Sequence, residues 1–418
     1  MNKLILGAVG LAAVLVACPS PAPVAPPVVI VVPPSTNPPE APLNPTGTVG
    51  SITDMIAGAR ALENIPNTSN SSLQTKFNAV NDSARQKVNF VLPAGAGLTP
   101  MKLLGAFKSG SLSALTSVLK PQAVSTSSLP RGAYDCRATT AASPNCVKTN
   151  SDDYKLVFLN TSSQEVTLFA DWDDSSSGTT SPTQTFPFTS GGNTSNSEVP
   201  TKASVYLQVN TVKVLEARAS ATWETVTAKP FSGAANTVQT AGLKTGSLQG
   251  VARTVSGADI VVVRGFTYGF NSTANKITTT GDFSVIDTDT FRARWNFEIG
   301  MTPDSNNPLF GVTPLIGLIN YKPNGDSKIS ASLEINADQY AFKFDTSNYV
   351  ERPFAITIAN GSIFQKGKTA TFTGVLNDAN GNCIPGDNLN VTTASGTATL
   401  QTILVNNFSV SSGSCPQN

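Results

Sequence analysis

The sequence predicts a mainly β protein with an N-terminal α section, in which a long antiparallel meander forms a curled sheet or a sandwich packed with two or three short helices. Two observations support this fold class. Between about residues 51 and 120 the apolar residues recur at helical spacing, and after Ser125 they alternate with polar residues. Turn signals such as Asn360-Gly361 and Asn380-Gly381 separate the alternating runs, which is typical of consecutive antiparallel strands.

The first residues have the features of a secretory signal. A basic start at Lys3 precedes an apolar stretch from Leu4 to Val16, which is too short to span a bilayer as a mature helix. The stretch ends in Leu15-Val16-Ala17-Cys18, where small residues precede a cysteine. This ending resembles the lipobox of bacterial lipoproteins.

The resemblance to bacterial lipoproteins implies a membrane anchor at Cys18. It implies cleavage before this residue, a diacylglycerol on its sulfur and an N-acyl chain on the new amino terminus. Two or three acyl chains hold a protein at a membrane stably, whereas one chain does so only marginally. Pro19 replaces the aspartate that retains Gram-negative lipoproteins in the inner membrane. We therefore expect an exported protein anchored at the outer membrane or cell surface, with these acyl chains and no other cofactor.

The composition divides the chain into five segments. They are a signal peptide (1–17), a lipid-anchored Pro-rich tether (18–50), a helical section (51–124), an antiparallel β domain (125–360) and a C-terminal β section with a disulfide (361–418), which can belong to the same domain. The tether has too much proline for a helix or a central strand, so polyproline II is its expected conformation.

The helical section carries three apolar stripes. Ser51 and Asp54 form an approximate capping box before the first stripe. The stripes consist of Ile52, Met55, Ile56, Ala59 and Leu62; of Leu73, Phe77, Val80, Ala84 and Val88; and of Leu112, Leu115, Val118 and Leu119. Their spacing predicts two helices and a shorter third one, each with its stripe facing the core.

The alternating runs of the β domain predict strands with one apolar and one solvated face. The longest runs lie at 214–225, 290–300, 328–335 and 339–345. In the second run, for example, Phe291, Ala293, Trp295, Phe297 and Ile299 alternate with Arg292, Arg294, Asn296 and Glu298. Such a sheet has to bury its apolar face, either against a second layer or against the helices.

The cysteines indicate an oxidising compartment. With Cys18 assigned to the lipid, the remaining four form a local pair, Cys136 and Cys146, and a C-terminal pair, Cys383 and Cys415. An even remainder in an exported chain predicts two disulfides, and sequential pairing is the most economical of the three connectivities. Neither pair has the CxxC spacing of a zinc site, so we expect no metal there.

The composition argues against catalysis and against nucleic-acid binding. The chain has no histidine, which removes the commonest general base and zinc ligand. Its 28 Lys and Arg balance its 27 Asp and Glu, and only 13% of residues are charged. We therefore expect no nucleic-acid partner, because binding to phosphate backbones needs a basic surface.

One set of short motifs resembles the signatures of penicillin-binding enzymes. These are Ser117 to Lys120, Ser143 to Asn145 and Lys244 to Gly246. Their context differs from that family. In the family the serine opens a buried helix, whereas here Pro121 ends the predicted helix directly after Lys120. The motifs therefore do not support an enzyme.

A second motif, Asp378, Asn380 and Asn382, resembles the start of a calcium loop. The twelfth position of that loop is Leu389 in place of the bidentate glutamate, and the glycine is at the fourth position in place of the sixth. A turn next to Cys383 accounts for the same residues, so we expect no metal site.

Two functions remain. The first is a non-catalytic, lipid-anchored envelope protein with a structural or interaction role, whose partners are the membrane and other envelope proteins. The alternative is a carrier or docking protein for a lipid or pigment. It predicts an apolar cavity lined by Phe291, Trp295, Phe297, Phe342 and Phe344.

Overall fold

The computed structural model describes residues 39–64, 132–138, 147–149, 154–159, 163–171, 183–190, 193–200, 202–228, 238–271, 273–286, 290–303, 321–350, 354–408 and 410. Several predicted features lie outside these residues: the signal peptide, Cys18, the second and third helices of the helical section, Ser117, Ser143, Cys146 and Cys415.

The described chain contains nineteen strands and two helices. The strands of the first half are β1 (Thr48–Val49), β2 (Gly132–Asp135), β3 (Val147–Thr149), β4 (Tyr154–Leu159), β5 (Glu165–Asp171), β6 (Thr183–Ser190), β7 (Asn193–Pro200), β8 (Lys202–Val209), β9 (Val212–Ala228) and β10 (Val238–Arg253). Those of the second half are β11 (Asp259–Asn271), β12 (Lys276–Ile286), β13 (Thr290–Pro303), β14 (Tyr321–Ile335), β15 (Asp338–Val350), β16 (Ala355–Gln365), β17 (Lys368–Asn377), β18 (Asn388–Thr393) and β19 (Gly396–Thr399). The helices are α1 (Ile52–Asn64) and α2 (Leu400–Phe408).

The strands join into one hydrogen-bonded sheet. From β8 to β19 each strand pairs antiparallel with the next one in the chain, and β5 pairs with β8 across the β6–β7 hairpin. Two pairings are parallel, β1 with β17 and β2 with β4. The predicted fold class, a mainly β protein built on a long antiparallel meander with an N-terminal helix, is confirmed.

The C-terminal helix α2 was not anticipated, because residues 361–418 were predicted as β structure. Its apolar side chains Leu400, Ile403 and Leu404 follow helical spacing, and Leu404 is buried. The Thr399 hydroxyl accepts a hydrogen bond from the Thr402 amide at 3.2 Å, which caps the first turn. A run this short carries the pattern of a buried strand as well as that of a helix.

The pairing register assigns the side chains of β13–β16 to two faces. Ala293, Leu333, Tyr340 and Gln365 are partners in successive strands and share the apolar face, and each is at most 5% exposed. The next residue along each strand points the other way, because side chains alternate. That side, which carries Arg292 and Arg294, is the charged face.

Both helices cover the apolar face near β16–β18. Met55 of α1 packs against a cluster formed by Ile358, Ala370, Phe372, Leu389 and Val391, and Leu400 and Ile403 of α2 pack against the same cluster. The side-chain amide of Gln365 donates to the Asp54 carbonyl, and Gly58 lies directly over that amide. A larger residue than glycine at position 58 would collide with Gln365, so this glycine permits the close approach of α1.

A separate apolar cluster stabilises the other end of the sheet. It consists of Cys136, Phe158, Val166, Leu207, Val209 and Val214, with Tyr134, Leu156, Leu168, Val212 and Leu215 packed around it. Phe158 and Val166 are at most 2% exposed. The sheet is therefore stabilised by several local clusters along its length.

One row of the charged face is polar in every strand from β9 to β19. In register order its members are Ser220, Ser247, Thr267, Thr280, Asn296, Ser330, Lys343, Ser362, Thr371, Thr392 and Thr397. Every member is exposed or half-buried. Ser220 and Ser247 share a hydrogen bond of 2.7 Å, and Thr392 and Thr397 one of 3.1 Å. We call this row the hydroxyl ladder, because nine of its eleven members are Ser or Thr. Its polar side chains keep this part of the charged face exposed to solvent.

The capping box at the start of α1 is confirmed. Asp54 Oδ2 accepts from the Ser51 backbone N–H at 2.8 Å, and the Asp54 N–H donates to the Ser51 hydroxyl at 3.2 Å. The Ser51 N–H and then its hydroxyl lower the pKa of Asp54 below the ordinary 3.8. Because this pKa is lower in the folded state, the stability it contributes is present above pH 3.8 and is lost as the pH falls through the folded pKa.

Replacing Ser51 with alanine is expected to lower the free energy of unfolding by about 1 kcal/mol, because one cap of α1 is lost. The Asp54 pKa should rise towards 3.8 in the variant, which an NMR titration of the carboxyl group measures. Thr53→Ala, at the exposed next-but-one position, is the control and should leave that pKa unchanged. A wild-type Asp54 that titrates at or above 3.8 would contradict the capping box.

Candidate functional site

Residues 39–50 cross the charged face of the sheet, and we call them the strap. At its first end Pro39 lies over Gly265 of β11, where an added Cβ would come within 2.7 Å of Pro39 Cγ. Further on, the Leu43 amide donates to the Ser332 hydroxyl of β14 at 3.0 Å. Gly265 therefore allows the strap to approach β11, and Ser332, which is 1% exposed, holds its middle.

The other end of the strap enters the sheet. The Thr48 amide donates to the Gly367 carbonyl at 3.1 Å, and the Gly50 amide donates to the Thr369 carbonyl at 2.8 Å. These bonds form the parallel pair β1–β17, after which the chain continues as α1 on the apolar face. The strap thus runs from β11 to β17 and connects the predicted tether, whose last residues it includes, to the first helix.

Glu40 of the strap binds two arginines of β13. Its Oε1 accepts from Arg294 Nη1 at 2.9 Å, and its Oε2 accepts from Arg292 Nη2. The two arginines are two residues apart on one strand, so both point towards the charged face. Glu40 itself is 60% exposed, whereas Arg294 is 4% exposed. The strap therefore brings its one carboxylate to a buried cation.

Two carboxylates on the neighbouring strands β12 and β14 bind the same arginines. Asp282 of β12, which is 1% exposed, accepts from Arg292 Nε at 2.9 Å and from Arg292 Nη2 at 2.7 Å. Glu334 of β14 accepts from Arg294 Nη2. Arg264 of β11 is the third cation, with its Nη1 at 3.5 Å from Asp282 Oδ1. We call these six residues, Glu40 included, the arginine cluster.

The charges of the arginine cluster balance only when the strap is in place. Three arginines face three carboxylates, and one of the carboxylates is Glu40. The hydrogen bonds to Asp282, followed by that to Glu40, raise the pKa of Arg292 above its ordinary value. Charges removed from water require such pairing, because an unpaired buried charge is strongly destabilising.

The chemistry of the cluster is that of anion binding. An arginine side chain stays protonated in proteins and presents only donors, so it binds carboxylates and does not exchange protons with a substrate. Within the described residues no three potential metal ligands among Asp, Glu and Cys come together, and the chain has no histidine. In this structure the two arginines hold the carboxylate of Glu40 in the strap.

Sequence reasoning missed this site, because it assigned Arg292 and Arg294 to the solvated side of their strand. They do lie opposite the apolar face, but the strap covers them. One sequence signal was present: Glu40 is the only charged residue between Lys3 and Asp54. One charge in an otherwise neutral segment adds little to solubility, so it could have been interpreted as a partner for a cation elsewhere in the fold.

The five predicted lining residues lie on one face of the sheet, on two strands that are separated by β14. Phe291, Trp295 and Phe297 lie on the apolar face of β13, and Phe342 and Phe344 lie on the same face of β15. All five are half-buried. Phe342 and Phe344 stack with ring centroids 6.0 Å apart, and Phe291 meets Phe283 edge-on at 6.4 Å. We call these five residues the aromatic strip.

Trp295 of the aromatic strip packs over a glycine of the neighbouring strand. Its register partner in β12 is Gly281, and its ring occupies the space above this glycine. Any larger residue at position 281 would collide with the indole. Phe266 of β11 lies beside the same ring, 6.2 Å from it by centroids. The glycine therefore lets Trp295 lie flat along the sheet.

The calcium-like loop is braced by its own hydrogen bonds. Asp378 accepts from the amides of Asn382 at 3.1 Å and Cys383 at 2.8 Å, and Asn382 Oδ1 accepts from the Ile384 amide at 2.9 Å. Asp387 accepts from the Ala379 amide at 2.7 Å. These bonds are those of a structured turn, which is the interpretation favoured from the sequence.

Other predicted residues are only partly within the described structure. Cys136 and Cys383 are described, but Cys146 and Cys415 are not, so the two disulfides stay predictions. Lys244 to Gly246 form part of strand β10, where Lys244 Nζ lies 3.9 Å from Glu224 Oε2. These three residues therefore belong to an ordinary strand of the meander.

The described helices include none that is both long and apolar enough to cross a bilayer. Comparison with known proteins found no matching protein family, no matching curated protein and no matching solved structure.

The strap should loosen when its charge is removed. Glu40→Gln keeps the side-chain size but breaks two ion pairs, so the Leu43 amide, which donates to Ser332, should exchange with solvent roughly fivefold faster or more. Hydrogen exchange read out by mass spectrometry or NMR measures this rate.

Glu298→Gln is the matched control for that experiment. It removes the ion pair of Glu298 with Lys276, 2.6 Å apart on the same face, without touching the strap. Exchange at Leu43 should stay at the wild-type rate in this variant. If both variants give the wild-type rate, Glu40 does not hold the strap.

Proposed function

We propose that this chain is a lipid-anchored cell-envelope protein with a structural or interaction role, exported to the outer membrane or cell surface, and that it is not an enzyme. The observation that carries the proposal is the strap, because it binds the chain next to the predicted lipid tether onto the face of the sheet. If the tether is bound to the sheet in this way, the lipid anchor also fixes the orientation of the sheet relative to the membrane.

The contacts of the strap distribute a load over many strands. Its contacts lie on β11, β13, β14 and β17, and not on one edge strand. A pull along the tether therefore acts on a row of strands that are paired to each other. Residues 19–38 separate Cys18 from the strap, and as polyproline II they reach about 60 Å. This is the distance at which the sheet can stand from the membrane.

The charged face offers the surface for interaction. The hydroxyl ladder crosses eleven strands, β9–β19, with exposed or half-buried Ser, Thr, Asn and Lys side chains. A surface of this kind makes hydrogen bonds without a strong charge preference, which agrees with the near-zero net charge of the chain. Together with the absence of histidine, this favours a binding or structural role over catalysis.

The anchor is tested by replacing Cys18 with serine in a bacterial host. We expect the wild-type chain to incorporate radiolabelled palmitate and to sediment with membranes, and the variant to do neither, because the acyl chains attach to this sulfur. Cys415→Ser is the control, since it changes a cysteine predicted to form a disulfide and should keep the label. A Cys18→Ser chain that still carries label and sediments with membranes would refute the anchor.

A second candidate function is the carriage or docking of an apolar ligand such as a lipid or pigment. The observation that favours it is the aromatic strip, which places five half-buried rings on one face of β13 and β15. Half-buried rings retain surface that a ligand can cover, and each buried aromatic side chain contributes strongly to binding.

Solvent extraction and mass spectrometry of the protein purified from its native host test this candidate. A carrier should release a defined apolar compound in about stoichiometric amount, and Phe342→Ser should release much less because the rings make the contact. Phe354→Ser changes a ring that is 40% exposed and lies outside the aromatic strip, so it should release the wild-type amount. A wild-type protein without any apolar compound would exclude the carrier function.

A further inference from the structure

We propose that Arg292 and Arg294 form a carboxylate-binding site that the strap fills through Glu40, and that this site accepts a free carboxylate when the Glu40 side chain is absent. The site thus has a resident ligand supplied by the chain itself. This inference does not depend on the lipid anchor.

The geometry of the donors fits one carboxylate. Each oxygen of Glu40 accepts from a different guanidinium group, Oε1 from Arg294 Nη1 at 2.9 Å and Oε2 from Arg292 Nη2. Hydrogen bonds between charged groups are stronger than those between neutral groups, and here two of them fix both oxygens of one carboxylate. The ligand class is therefore a carboxylate, and not a single-atom anion such as chloride.

The donors are held in place without Glu40. Asp282 binds Arg292 through two hydrogen bonds, at 2.9 and 2.7 Å, and Glu334 binds Arg294. These partners belong to strands on either side of β13, so they fix both guanidinium groups when the strap is changed. A site whose donors are fixed beforehand loses little entropy on binding its ligand.

The charge balance supplies the driving force. Without Glu40 the cluster has three arginines and two carboxylates, which leaves one uncompensated positive charge next to Arg294. Arg294 is 4% exposed, and its Nε has no hydrogen-bond partner within the described residues. One monovalent carboxylate restores neutrality, and the unpartnered Nε shows that the cluster retains donor capacity.

Chemical rescue tests the proposal on the full chain purified in detergent. Glu40→Ala removes the two carbons and two oxygens that acetate supplies, and it leaves the contacts of Pro39, Leu43 and Thr48 with the sheet available to the strap. We expect the Tm of this variant to fall below that of the wild type. Acetate should then raise it by about 1–2 °C more than sodium chloride does at equal ionic strength.

Two further proteins make the result specific. In the wild type the Glu40 carboxylate fills the site, so acetate should give the same Tm change as sodium chloride. In Glu40→Gln the amide occupies the space of the carboxylate without its charge, so acetate should raise the Tm less than it does in Glu40→Ala. Saturation of the Glu40→Ala shift with acetate concentration is also expected, because one site is filled. An equal acetate effect on all three proteins, or no acetate effect on Glu40→Ala, would overturn the proposal.

Discussion

The contact between Glu40 and the two arginines of β13 is the interaction on which the charge balance of the arginine cluster depends. Arg294 is almost fully buried. A cation that has lost contact with water is strongly destabilising unless negatively charged groups pair with it. Glu334 supplies one partner from the sheet, and Glu40 supplies the other from the strap. The fold of the sheet therefore contains a position that only a negatively charged neighbour can complete, and the chain places its isolated carboxylate there.

The strap also explains how one very long sheet is covered near β13–β17. On the apolar face Ala293, Leu333 and Tyr340 are buried, and α1 lies against the Gln365 end of their row. On the charged face the strap covers the residues directly behind them, Arg294 and Ser332. The strap and α1 are consecutive in the chain, so a single segment covers both sides of the sheet. Further along, the hydroxyl ladder makes the charged face polar enough to remain in water.

Local features of the sequence predicted the fold well. Strict alternation placed the five rings of the aromatic strip on one face, and Ser51 with Asp54 predicted the start of α1, because both patterns involve residues a few positions apart. The strap was not predicted, since its contacts join residues more than 220 positions apart, as with Pro39 and Gly265 or Glu40 and Arg294. Helix α2 was missed for another reason: its apolar run is short enough to suit a strand, and only the Thr399 cap distinguishes the two.

The measurement that tests the central claim most directly is a double-mutant cycle on Glu40 and Arg294. The free energy of unfolding would be measured by chemical denaturation for the wild type, Glu40→Gln, Arg294→Met and the double variant. If the strap is held by this ion pair, the coupling free energy should be about 0.5–2 kcal/mol in favour of the pair, since Glu40 is 60% exposed and solvent weakens the attraction. A coupling below about 0.3 kcal/mol would mean that the two changes are independent, and would contradict the account.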